Sequence, residues 1–232
     1  MSGALPPRER VASFSVLGLS AFTTTRDAGT YGFTDDAPVG EVHERWLALL
    51  RSTGGRMASA HQVHGVKIVT HTPGWDGWLR VDSADGHATA HHDTTLVVTI
   101  ADCVPIFIGH PKGASALLHA GWRGTAGGML EGAIRLLAAM GCQARDLVVH
   151  LGPAICGACY EVGPEVYAEL MRRSIDAPAA VDLRALLADQ ARIAGVREID
   201  VSPLCTRCYN DRFFSHRAGD TGRQAAVIAP SA

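Results

Sequence analysis

Four short, almost wholly apolar runs, Thr94–Ile100, Val104–Ile108, Ala114–His119 and Leu147–Leu151, most constrain what this chain can fold into. Runs of this length, bounded by Gly, Pro, Asp and His, suit buried strands better than helices. Segments of helical periodicity lie around them. Val42, Trp46, Leu49 and Leu50 share one face, so Gly40–Ser52 reads as an amphipathic helix. Leu130, Ile134 and Leu137 form the face of a second helix that Gly141 stops. Further helices are expected at Pro164–Arg173 and Leu183–Ala194. Further strands are expected at Val63–His71, Glu198–Val201 and Ala225–Ile228, with two more in Val11–Arg26 on either side of Gly18. Thr72–Trp78 reads as a loop. Several strands follow one another without an intervening helix, so a mixed sheet with helices outside is favoured over a parallel one. The fold class is α/β in the mixed α+β sense, with residues 1–232 forming one domain.

At 232 residues, 47% hydrophobic and 19% charged, the chain has the composition of a globular protein with a substantial core. A formal charge of −2 carries no signal for a polyanion, which disfavours nucleic acid or an anionic membrane as partner. The apolar runs are too short to span a bilayer. The opening residues MSGALPPRER carry no apolar signal region, so a cytoplasmic location is expected. Six cysteines in a reducing compartment point to metal binding or reactivity rather than disulfides.

Three residues at or near the ends of expected strands carry metal-binding chemistry: His64, Cys103 and His119. Two imidazoles and a thiolate suit zinc, and three protein ligands leave a fourth position open for water or substrate. The residues alone also allow the plainer reading of Cys103 as a small core hydrophobe and His119 as a hydrogen-bonded strand-end residue. Separately, Cys156-x-x-Cys159 and Cys205-x-x-Cys208 have the spacing of a structural zinc knuckle. The alternative there is that Cys156 is simply buried.

Seven ordered strings then add a resemblance. They are Gln62-Val63-His64-Gly65, Ala101-Asp102-Cys103-Val104-Pro105-Ile106, His119-Ala120-Gly121-Trp122-Arg123-Gly124, Gly152-Pro153-Ala154-Ile155, Cys159-Tyr160-Glu161-Val162-Gly163, Phe213-Phe214-Ser215-His216-Arg217 and Thr221-Gly222-Arg223. Together they resemble the laccase-domain family, a bacterial group variously labelled polyphenol oxidase, peptidoglycan editing factor and purine nucleoside phosphorylase. The resemblance implies one zinc per chain on His64, Cys103 and His119, and phosphorolysis of adenosine, inosine or guanosine. Methylthioadenosine cleavage and adenosine deamination are implied as further activities. The older label implies copper and phenol oxidation, but laccases proper need several coppers and many more histidines than this chain arranges. A peptidoglycan-editing hydrolase and a non-catalytic binding module are the other rivals.

The expected partners are purine nucleosides and phosphate, with the chain a monomer or a homodimer. Arg26, in Thr24-Thr25-Arg26, is the first candidate for phosphate, because a guanidinium donates two parallel hydrogen bonds. Arg123 is the second, and Gly121 and Gly124 are candidate backbone donors. Structural ion pairing is the competing role for both arginines. Asp102 is expected to orient a ligand or act as a general base, or instead to cap a turn. His61 and His216 are candidate substrate contacts or proton carriers. One stretch departs from the family pattern. Arg26-Asp27-Ala28-Gly29-Thr30-Tyr31-Gly32-Phe33 replaces the usual Gly-Gly continuation, with a shortened connection to the first helix, which leaves substrate preference open.

Overall fold

In the computed structural model, residues 4–33 and 37–231 are described. The shortened connection before the first helix lies partly outside them. The chain runs β1 (Arg8–Arg10), β2 (Leu19–Thr24), α1 (Val39–Thr53), β3 (Arg56–Ala60), β4 (Ile68–His71), β5 (Gly77–Val81) and β6 (Gly86–Thr89). It continues with β7 (Thr95–Ile100), β8 (Val104–Gly109), β9 (Ser115–Ala120), α2 (Trp122–Ala126), α3 (Met129–Ala139) and β10 (Val148–Leu151). Last come β11 (Glu161–Val162), α4 (Pro164–Met171), β12 (Ala179–Ala180), α5 (Leu183–Ile193), β13 (Glu198–Val201) and β14 (Gln224–Pro230).

The mixed α/β class is as expected, but the strands divide between two six-stranded mixed sheets and a small β11–β12 ribbon. One sheet has the order β1-β2-β14-β7-β3-β5 and the other β13-β10-β8-β9-β6-β4. They stack face to face. Alternation along the strands shows why: Ile106, Ile108, Ala116 and Leu118 face the α3 and α5 side, whereas Phe107 and Leu117 meet Leu96, Val98, Ala226 and Ile228 between the sheets. Phe22, Val97 and Val227 turn outward under α1, whose buried stripe is Val42, Trp46 and Leu49. The layers are therefore helix, sheet, sheet, helices. Gly54, at φ 105°, ends α1 in the left-handed conformation that glycine adopts most easily. The Asp182 side chain caps α5 by accepting from the amides of Arg184 and Ala185.

Three expectations change. Residues 12–17 form a 3-10 turn, not a strand, because Phe14 and Leu17 fall three apart and plug the sandwich together beside Gly109. Phe14 meets Phe107 edge-on with ring centres 6.2 Å apart. Val63–His71 is strand only from Ile68, since residues 63–65 bond elsewhere, as described below. Six strands, β1, β3, β5, β6, β11 and β12, were not anticipated from the pattern, and β5 begins inside the expected 72–78 loop. Each is short, and pairing with neighbours decides it.

A buried histidine pair spans β4 and β6: His71 Nε2 lies 2.9 Å from His87 Nδ1. Burial holds both imidazoles neutral, with His87 pulled down to about 3. The unfolded chain binds protons at these sites below about pH 6.5, whereas the folded one does not. Their contribution to stability is therefore complete above about pH 6.5 and lost as pH falls from there toward His87's folded value. Urea titrations at about pH 7 and about pH 4.5 should show this loss, and a His87→Leu variant should show a shallower pH dependence. At a core position, Phe107→Ala should cost about 3–5 kcal/mol in the same assay.

Candidate metal centre and cavity

His64, Cys103 and His119 lie at one end of the sandwich. There β7 ends at Ile100, the chain crosses between the sheets through Ala101-Asp102-Cys103, and β8 begins at Val104. β8 and β9 are antiparallel, with Pro105 opposite His119, so the strand that starts after Cys103 lies beside the strand that ends after His119. The loop after β3 brings His64 to the same place. One ligand-type atom from each of His64, Cys103 and His119 lies within 4.8 Å of the other two. The His64 and His119 rings meet edge-on, 4.8 Å between centres.

Asp85 organises this cluster. Its carboxylate is fully buried and accepts from the backbone amides of Val63, His64 and Gly65 at 3.2, 2.9 and 2.7 Å. It also accepts from His119 Nδ1 at 2.9 Å, which leaves Nε2 as the nitrogen free for the cluster. The three amides are the ones a strand over residues 63–67 would have used, so the loop forms instead. His64 takes φ 60° within it, a conformation uncommon outside glycine. Burial raises the Asp85 carboxyl, but His119 and the amides outweigh it and hold the group below the usual carboxylate range. At Cys103 burial opposes ionisation, yet His119 and His64 pull the thiol down to about 6. His119 is pushed up to about 9 against its burial by Cys103 and Asp85. A thiolate beside two imidazoles, one fixed in its tautomer, fits a divalent metal.

The backbone leaves little slack around these donors. A Cβ on Gly121 would stand 3.0 Å from Cys103 Sγ. Gly124 lies inside the five-residue α2, packed on Gly65, and does not line the cavity.

The cluster forms part of the wall of a cavity of about 460 Å³, a volume suited to a small ligand. Arg80, Arg123, Arg217 and Arg223 line it, with Trp122 and Tyr160. His61 and His216 are also on its wall. The Arg123 guanidinium lies over the Trp122 ring, 4.4 Å from its centre, and has no hydrogen-bond partner among the described residues.

Arg26 is elsewhere. It donates to the carbonyls of Asn210 and Phe213 and pairs with Asp220 at 2.8 Å, its guanidinium lying over Phe214. Those contacts anchor the segment that carries His216 and Arg217, and Arg26 does not line the cavity. The divergent loop after it is likewise tied down. The Tyr31 amide donates to Arg223, and the Tyr31 carbonyl accepts from Trp46 Nε1.

Asp102 does line the cavity, at φ 81°, with both carboxylate oxygens in use. Thr206 Oγ1 donates to one at 2.6 Å and the Arg217 amide to the other at 2.7 Å. Asp85, Arg80, Arg217 and Arg223 were absent from the sequence-based candidates. The signal that could have found Asp85 was an acidic residue directly before Gly86, where any side chain would strike Leu118, Ile68 and Met129.

A family model described as multi-copper polyphenol oxidoreductase laccase matches residues 20–231. The chain belongs to that family. Membership implies a metal, and the His64–Cys103–His119 cluster supplies a place for one. A purine nucleoside phosphorylase of Streptomyces coelicolor is 34% identical over 85% of this chain and 85% of its own length. One from Mycobacterium tuberculosis is 35% identical over 88% and 84%. The crystal structure of YlmD from Geobacillus stearothermophilus superposes with a TM-score of 0.86 and 28% identity, covering 100% of this chain and 98% of that one. YfiH of Bacillus licheniformis, at 24% identity, shares the fold with a TM-score of 0.89 and 97% coverage of both chains.

Asp85→Asn keeps the shape of the side chain but removes its charge and turns one of its two accepting oxygens into a donor. It should weaken metal retention by about 10–100-fold in a chelator competition while the far-ultraviolet circular dichroism stays that of the wild type. Unchanged retention would show that the carboxylate does not tune the cluster.

Proposed function

We propose that this protein is a zinc-dependent purine nucleoside phosphorylase, splitting adenosine, inosine or guanosine with phosphate. The observation that carries the reading is a two-imidazole, one-thiolate cluster in the wall of an arginine-lined cavity, in a chain whose relatives bear that name. His64, Cys103 and His119 would hold the zinc, which supplies a Lewis acid with one open position. Arg123 binds phosphate through its unpartnered guanidinium, replacing Arg26 in that role, and Arg217 and Arg223 add positive charge nearby. Tyr160 and Trp122 offer flat faces for a purine. His216 has no side-chain hydrogen-bond partner among the described residues and protonates the departing base. Asp102 acts as a positioning residue: it holds the Arg217 amide and Thr206. Methylthioadenosine cleavage and adenosine deamination are secondary activities to test in the same cavity.

Copper-dependent phenol oxidation fits the donors less well. Electron transfer to oxygen in laccases uses several coppers, and among the described residues only one potential metal cluster contains imidazoles. A hydrolase working through a Cys103 nucleophile would need that thiolate free of metal. No disulfide joins any of the six cysteines, and no helix among the described residues is long and apolar enough to cross a membrane.

Purified protein incubated with inosine or adenosine should release free base and ribose 1-phosphate only when phosphate is present. Cys103→Ala should abolish the reaction together with the zinc bound at that cluster. Arg123→Ala should raise KM for phosphate about 10–100-fold, the loss of one charge-assisted contact. Retained zinc without phosphorolysis of any purine nucleoside would overturn the assignment.

A further inference from the structure

A second group of potential ligands lies outside the His64–Cys103–His119 cluster. The four sulfurs of Cys156, Cys159, Cys205 and Cys208 all fall within 4.8 Å of one another. We propose that they form a second metal centre, a structural four-thiolate zinc site that staples two loops of the cavity wall together.

The pattern is that of paired knuckles. Each Cys-x-x-Cys turns its two sulfurs toward the same point, and the pairs come from segments 49 residues apart in sequence. A tetrahedral site with zinc–sulfur bonds of about 2.3 Å has edges of about 3.8 Å, so the sulfurs need move by an ångström at most. Cys159 and Cys208 already stand 3.5 Å apart. The amides of Cys156 and Cys208 point at Cys205 Sγ, at 3.3 and 3.4 Å. Backbone donors aimed at a sulfur stabilise it as a thiolate, which is the form that binds metal.

Ordinary hydrophobic burial does not account for the convergence. Cys208 is exposed and Cys156 and Cys159 are only half-buried, so three of the four thiols gain little from packing. The surrounding backbone nevertheless fits together closely. Ala154 and Cys205 form a parallel bridge, and the Thr206 amide donates to Ala154. The buried Arg184 of α5 donates to the carbonyls of Ser202 and Leu204, which sets the approach to the second knuckle.

The two stapled loops serve the cavity directly. The first places Ile155 and Tyr160 on its wall. The second carries Thr206, whose hydroxyl holds Asp102 where the chain crosses between sheets. A metal at the knuckles therefore fixes the Asp102 clamp from behind without touching the substrate. The four thiols share no residue with the His64–Cys103–His119 cluster, so the two sites load separately.

Zinc content and cysteine alkylation, mapped by mass spectrometry, test the site on the intact chain. Wild type should hold two zinc ions per chain, Cys103→Ala one, and the double variant Cys159→Ser/Cys208→Ser one. In native wild type the four knuckle cysteines should resist alkylation until a chelator strips the metal, a readout that needs no variant to fold. Stripping should also lower Tm in the Cys103→Ala background, where only the knuckle site remains. The proposal is overturned if Cys103→Ala retains no zinc, if the four thiols alkylate freely in untreated protein, or if they are recovered as disulfides.

Discussion

A single buried carboxylate underlies the chemical end of this molecule. Asp85 has no exposed surface, and an ionised group there would be costly without partners. It has four: three successive amides and one imidazole. Those bonds do two jobs at once. They bend residues 63–65 away from strand geometry, which carries His64 to the cluster. They also commit His119 Nδ1, which decides the nitrogen that faces Cys103. The left-handed backbone at His64 persists because the carboxylate over-determines the loop around it. Positioning two candidate ligands from one acceptor ties the cluster to the packing of β6 against β9, where Gly86 admits no side chain.

Asp102 plays a comparable part on the other side of the cavity. It sits where the chain leaves one sheet for the other, and its oxygens hold Thr206 and the Arg217 amide. Arg26, Asp220, Asn210 and Phe214 brace the same C-terminal segment from the outside. The cavity is thus walled partly by loops that bond to one another and partly by strand residues such as Ala60, Arg80, Thr99 and His119. Polar side chains near the cavity differ in their bonding. Those of Arg26 and Asp102 are held by neighbouring groups, whereas those of Arg123 and His216 have no hydrogen-bond partner among the described residues. The division is chemical, since a guanidinium already bonded to two carbonyls and a carboxylate has few donors left for phosphate.

Much of this protein was legible in the residues alone. The apolar runs gave the central strands of both sheets, the helical stripes gave α1, α3 and α5, and the knuckle spacing marked four cysteines that do converge. Periodicity reports burial of a face, and these segments are buried on a regular period. Where burial is irregular the pattern went silent. The 3-10 plug at residues 12–17 looks like a strand because its apolar residues face the core without a strand's pairing. β3 and β6 look like loop because most of their side chains are small or polar, and β5 because Gly77 and Arg80 interrupt its apolar residues within five positions.

The sequence by itself determined the inventory: two imidazoles and a thiolate near strand ends, a family's ordered motifs, and a core large enough for layered sheets. Only the tertiary structure decided assignment. It split the strands into two stacked sheets, gave Asp85 its central place, moved Arg26 out of the cavity and brought Arg80, Arg217 and Arg223 in. The physical reason is that hydrogen-bond partners of buried charges are set by distance in space. Asp85 lies 34 residues from His119, and Asp102 lies 115 from Arg217, separations that no local pattern encodes.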